Sequence, residues 1–122
     1  MKYLFLCLLT LHSYAASSQK QVEINLMEVS NHVGDSVKVC GVVASARHVT
    51  TVDNTPTFLN LGNAYPNQLL TVVIWDDVRK QFTYKPEEYL LNKQVCVLGR
   101  VELYKGKAQI VIHSDKDFYL KQ

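Results

Sequence analysis

The sequence predicts an all-β chain, a small barrel of five strands with short helices, and three observations carry that prediction. Period-two alternation recurs in SVKVCGVV, TFLNLG and KAQIVI, and LLTVVIW is apolar on both faces. Two of the strand patterns are long and hold a glycine in mid-strand, Gly41 and Gly99, as a strand does where it bends sharply in a small barrel. A helical segment separates the third strand from the fourth.

At the N-terminus, Met1-Lys2 is followed by the apolar run YLFLCLLTL and then by Ser13-Tyr14-Ala15, with small residues at the two positions a signal peptidase reads. That order is the layout of a secretory signal over residues 1–15. The run is well short of the roughly 20 apolar residues of a spanning helix. A fold-bearing strand or a retained anchor is the alternative. Cys7 lies inside the run, far from the small-residue site, unlike a lipoprotein cysteine. Residues 16–21 read as a polar linker, and residues 22–122 as one domain large enough to bury a core. Its first element is a helix. Val22, Leu26, Val29 and Val33 recur at helical spacing, which predicts an amphipathic helix from Val22 to about His32, with Gly34 as its cap.

Strand one runs from Ser36 to Val49, with Val37, Val39, Gly41 and Val43 on one face. A loop rich in Thr, Asp, Asn and Pro follows over residues 50–56. Strand two, Thr57–Gly62, places Leu59 and Leu61 on one face and Phe58 and Asn60 on the other. After the loop of residues 63–68, strand three runs from Leu69 to Trp75, the only tryptophan. Asp76-Asp77 then open a short helix through Arg79, Gln81 and Phe82, with the acids at its positive end. Pro86 starts a second helical turn through Leu91. Strand four runs from about Gln94 to Tyr104, Lys105-Gly106 makes a tight hairpin, and strand five is Lys107–His113. Asp115–Gln122 is a tail whose Phe118 and Leu120 pack back on the barrel. Helix, three strands, helix, two strands is the order of a five-stranded Greek-key barrel of OB type, with an N-terminal helix and a helix between strands three and four. An SH3-like barrel also has five strands but lacks that inner helix.

The formal charge is +2, and cleavage after Ala15 removes Lys2, leaving 12 basic against 11 acidic side chains, about +1. Dedicated nucleic-acid binders are often far more basic, so composition does not demand a polyanionic partner. Cleavage also leaves two cysteines, Cys40 and Cys96. In an OB barrel strand one lies beside strand four, so the two can face each other and form a disulfide in an exported chain. Two buried free thiols are the alternative.

GDSVKVCGVV, TFLNLGNAYPNQLLTVVIW and KQVCVLGRVELYKGKAQIVI together resemble a group of small exported bacterial OB-fold proteins, described as nucleic-acid-binding-type domains. The resemblance covers about Val22 to His113. It implies the OB fold and, by association with that fold, nucleic-acid binding; it supplies no catalytic residues. The outward face of strands two and three would then present Phe58, Asn60, Thr71, Val73 and Trp75, with Arg47 and His48 at one loop and Tyr104, Lys105 and Lys107 at the other. Single strands bind such surfaces by stacking bases on aromatics while Lys and Arg follow the phosphates. The structural alternatives are that Trp75 plugs the barrel end, that the Tyr65-Pro66 loop covers Phe58, and that Lys105 and Lys107 are solvated hairpin lysines.

Enzymatic readings fit less well. A nuclease of the staphylococcal type, also an exported OB barrel, needs clustered carboxylates for calcium. Asp76-Asp77 and Glu87-Glu88 are adjacent pairs whose side chains diverge on a helix and read as caps and solvated faces. No His, Cys and Asp set stands at metal-ligand spacing, and no cofactor is expected. The expected product is a non-enzymatic periplasmic or extracellular module with no integral membrane segment after cleavage. Its partner is single-stranded nucleic acid or a similar oligomer; the alternative is an envelope protein or small ligand.

Overall fold

β2, Ser36–His48, is a 13-residue strand shared by two ladders, and that sharing organises the whole domain. The structure is a computed structural model that describes residues 21–122. The expected export signal over residues 1–15 and the linker up to residue 20 lie outside the described residues. Ser36–Val42 of β2 pairs antiparallel with β5, Gln94–Arg100; Val43–His48 pairs antiparallel with β3, Thr57–Leu61. The register shifts between Val43 and Ser45, just past Gly41, so the bulge and the glycine together turn the strand from one ladder into the other. β3 pairs with β4, Leu70–Ile74, which pairs in parallel with β7, Lys107–Val111.

The described residues are mostly β with a few short helices, but their sheet has eight strands, not five. The five expected strands are present as β2, β3, β4, β5 and β7. Three short ones join them: β1 (Val22–Ile24), β6 (Glu102–Tyr104) and β8 (Phe118–Leu120). The path β6-β7-β4-β3-β2-β5-β8 does not close by hydrogen bonds, and β1 pairs with β2 off that path. β5 and β7 instead meet through side chains. A Cβ added to Gly99 would stand 2.5 Å from Ile110 Cγ2, so only glycine permits this approach.

Each added strand has a local cause. The expected helix over residues 22–32 divides in two. Val22-Glu23-Ile24 lies parallel to Val37–Val39, and Asn25, whose side chain accepts from Met27 N at 2.9 Å, caps a 3-10 helix at Leu26–His32. Two of these three residues are β-branched and suit a strand. Leu26, Val29 and His32 then follow at intervals of three, the repeat of a 3-10 helix. Strand four breaks at Val101, which turns inward, is fully buried, and exchanges backbone hydrogen bonds with the Gly34-Asp35 turn. The tail pairs with β5 through Val97↔Phe118, and Phe118 is buried as expected.

The core fills the space inside the curled sheet. Val37, Val39 and Val43 of β2 meet Leu59, Leu61, Leu70, Val72, Ile74, Ile110 and Ile112. These are the alternating positions that the sequence assigns to the inner face. The helices between β4 and β5, α1 (Asp76–Arg79) and α2 (Pro86–Tyr89), cover one end with Val78, Pro86 and Leu90. Cys40 and Cys96 stand opposite each other in the β2–β5 ladder and are joined by a disulfide. Among the described residues no helix is long and apolar enough to cross a membrane.

Candidate functional site

The outer face of the β2–β3–β4–β7 ladder is ruled into two rows of directly opposed residues. One row runs Arg47, Phe58, Val73, Val111; the next runs Ser45, Asn60, Thr71, Gln109. Residues in one row share a face because directly opposed partners on neighbouring strands point the same way. Above the rows stand two walls. The loop after β3 supplies Tyr65, Pro66 and Gln68, with a cis bond between Tyr65 and Pro66. The β6–β7 hairpin supplies Tyr104, Lys105 and Lys107. Floor and walls enclose a cleft of about 540 Å³.

The hairpin shape is written in its turn. Lys105 and Gly106 have φ of 50° and 79°, the pattern of a two-residue type I′ turn. Gly, Asn and Asp suit the first of these positions, whereas lysine carries a steric cost there. The turn nonetheless holds Lys105 at the mouth of the cleft, with its Nζ 5.4 Å from the Tyr104 ring centre. Lys107 reaches across the mouth and donates from Nζ to the Pro66 carbonyl, tying hairpin to loop. That acceptor is a neutral carbonyl and brings no counter-charge to the lysine.

Among the described residues, no carboxylate pairs with Arg47, Lys105 or Lys107; the ion pairs are His32–Asp35, Lys38–Glu23, Arg79–Glu87 and Lys80–Asp76. No Asp or Glu lines the cleft either. The cleft is therefore a local concentration of positive charge on a chain that is nearly neutral in sum.

Seven expected residues, Arg47, Phe58, Asn60, Thr71, Tyr104, Lys105 and Lys107, meet in this cleft. Phe58 is half-buried and lines the cleft together with Tyr65 and Pro66, and Tyr65 is 71% exposed. Asn60 is buried at 5% exposure although it faces outward, its amide held between Ser45 and Thr71. Ser45, Tyr65, Pro66, Gln68 and Gln109 also line the cleft and were not singled out from sequence. Ser45 shares the parity of Arg47, a signal that only the β2–β3 register makes usable.

Trp75 does not join them. β4 ends at Ile74, and Trp75 lines a second recess of about 620 Å³ with Asn54, Thr55, Asp76, Asp77 and Lys80. At 39% exposure it plugs nothing. This recess is acidic. Hydrogen bonds from Lys80, then Thr55, hold the Asp76 carboxyl below its ordinary value, so it stays charged. Two carboxylates beside the indole oppose a phosphate.

The remaining polar groups are structural. His48 Nδ1 lies 2.8 Å from Thr57 Oγ1, and Thr57 is fully buried. Glu87, expected on a solvated face, instead receives both hydrogen bonds of the Arg79 Nη2 group with its side chain 12% exposed. The α1–α2 turn folds the two together across eight residues. Burial, the largest single effect, pushes the Glu87 carboxyl up, but the Arg79 hydrogen bond, a backbone hydrogen bond and the Arg79 charge together outweigh it, and the net shift is downward. Among the described residues no group of three His, Cys, Asp or Glu could hold a metal ion.

No family model matches the chain, and no curated protein matches it. Solved structures do. A protein described as an aspartyl-tRNA synthetase from Leishmania major Friedlin aligns at TM-score 0.52 and 12% identity, over 87% of this chain and 22% of its own. This chain thus spans about a fifth of that protein's length. OBody AM1L10, solved bound to hen egg-white lysozyme, aligns at TM-score 0.50 and 21% identity, over 75% of this chain and 84% of its own. The S. pombe Stn1-ten1 complex aligns at TM-score 0.48 and 15% identity, over 71% and 58%. At these identities the likeness is one of fold, a β-rich fold of OB-like type.

Proposed function

We propose that this chain is a non-enzymatic, exported binding module on an OB-type barrel, whose cleft takes single-stranded nucleic acid or a similar oligomeric anion. In this reading residues 1–15 are the export signal, residues 16–21 the linker and residues 22–122 the domain. One observation carries the ligand class: three cations and three aromatics converge on a cleft lined by no carboxylate. Bases stacked on Phe58, Tyr65 and Tyr104 contribute about 1–3 kcal/mol each, while Arg47, Lys105 and Lys107 follow the phosphates. Trp75 is left out, since its recess is acidic. The solved neighbours support a barrel of OB type, and the synthetase among them is a protein that acts on tRNA by its name. The disulfide is consistent with an oxidising, exported location.

Titration of a labelled single-stranded oligonucleotide at low salt tests the reading. Binding that weakens at least tenfold in the Phe58→Ala, Lys105→Ala double variant is the expected result. Absence of binding, or binding indifferent to both changes, would sink it. A second reading, an envelope protein or small ligand as partner, is favoured by the open Trp75 recess and the OBody neighbour, which was solved with a protein bound. Capture of a partner from an envelope extract that is lost on Trp75→Ala, with no oligonucleotide binding, would establish it instead.

A further inference from the structure

The polar side chains on the cleft floor form one continuous run of hydrogen bonds. Gln68 Nε2 donates to Thr71 Oγ1 at 3.0 Å, Thr71 Oγ1 donates to Asn60 Oδ1 at 3.0 Å, and Asn60 Nδ2 donates to Ser45 Oγ at 3.0 Å. Tyr65 N also donates to Ser45 Oγ at 3.0 Å. Ser45 therefore accepts twice, and among the described residues its own proton meets no acceptor. At the other end Gln68 Oε1 is buried without a partner. At its ends the run leaves the Gln68 Oε1 acceptor and the Ser45 hydroxyl proton unused, besides the second proton of each amide.

Reversing the run leaves that count unchanged. With both amides turned over, Ser45 donates to Asn60, Asn60 to Thr71 and Thr71 to Gln68. The Gln68 amide nitrogen is then the spare donor and the Ser45 oxygen the spare acceptor. In either sense the floor asks for a ligand that both gives and takes a proton. A phosphate or carboxylate offers acceptors only and leaves the Gln68 Oε1 acceptor unmet. A nucleobase edge carries donor and acceptor together. Gln68 is half-exposed as a residue, so a turn of its side chain brings the amide to a ligand. Asn60 lies two residues from Phe58 on the same face of β3, about 6.8 Å along the strand, within reach of a base stacked on that ring.

Resting on the nucleic-acid reading above, we infer that the cleft reads bases as well as holding phosphates, with Ser45, Asn60 and Gln68 as the residues that set base preference. The cations and aromatics supply affinity for any single strand; the neutral floor discriminates among them.

The test measures fluorescence polarisation with labelled oligo(dA), oligo(dC) and oligo(dT) of equal length. The wild type is expected to prefer one homopolymer over another by about 10-fold or more, the worth of a good paired base contact. Gln68→Ala is expected to cut that preference to about 3-fold or less, chiefly by weakening the favoured homopolymer. Asn60→Ala should do the same. Because Asn60 is buried and its loss could unfold the sheet, Gln68→Ala and Ser45→Ala decide the matter. Equal binding of all three homopolymers overturns this inference and leaves the nucleic-acid reading standing, as does a preference that survives Gln68→Ala and Ser45→Ala. Failure of every homopolymer to bind overturns both.

Discussion

Salt dependence offers the sharpest handle on the cleft, because the structure fixes how many cations face it. Arg47, Lys105 and Lys107 line it without a carboxylate partner among the described residues. Each phosphate neutralised on a single strand releases counterions and contributes about −0.7 to the slope of log K against log salt. Three contacts give a slope of about −2, so affinity falls about 20-fold between 50 and 200 mM salt. Lys105→Asn is the informative variant. Asparagine fits the positive φ of this turn position better than lysine, so stability should rise by a few tenths to about 1 kcal/mol. The slope should meanwhile become shallower by about 0.7. Polarisation titrations at four salt concentrations, with a thermal melt of each variant, measure both quantities. Trp75→Ala and Lys80→Ala, in the acidic recess, should leave the slope unchanged. A slope near zero, or one unaltered when Lys105 and Lys107 are both replaced, would refute the reasoning.

Two further outcomes follow from the scaffold. The Cys40–Cys96 bond spans 56 residues, for which chain entropy gives about 4 kcal/mol of stabilisation. Reduction should lower the melting temperature by roughly 15–30 °C, a shift checked by calorimetry with thiol labelling and contradicted by a change of only about 2 °C in fully reduced protein. The Glu87 carboxyl titrates lower folded than unfolded, so its contribution to stability is present above its ordinary value of 4.5 and is lost as pH falls below it. Glu87→Gln should therefore flatten the acid limb of a denaturation curve measured from pH 6 downward. An unchanged limb would mean that the Arg79 contact contributes nothing.

What was legible in the sequence was whatever depends on near neighbours. Alternation in SVKVCGVV and TFLNLG marks β2 and β3 almost to the residue, because each strand buries one face continuously. Lys105-Gly106 marks a hairpin because positive φ is a local demand. The misreadings arise where a distant segment decides. Val22–Ile24 becomes a strand because Val37–Val39 offers it an edge, and no window around residue 22 contains that edge. Trp75 has the parity of Thr71 and Val73, yet β4 stops one residue short of it and Asn54-Thr55 comes up beside the ring. Glu87 looked solvated until the fold brought Arg79 to it. In the cleft, the aromatic and basic residues were readable by type. Ser45 and Gln68 were not, because a hydrogen-bonded run is defined by register and loop path rather than by residue identity.

The two ladders of β2 give the domain a division that its small size hides. Residues 36–42 carry the covalent staple, and residues 43–48 carry one side of the cleft, with the bulge between them. Changes on the cleft side reach the staple through one strand's backbone and through the packing of β5 on β7. The hairpin at residues 104–107 and the loop at residues 63–68 could thus be rewritten for another guest while the anchored half goes on folding unchanged, leaving a chassis with an exchangeable grip.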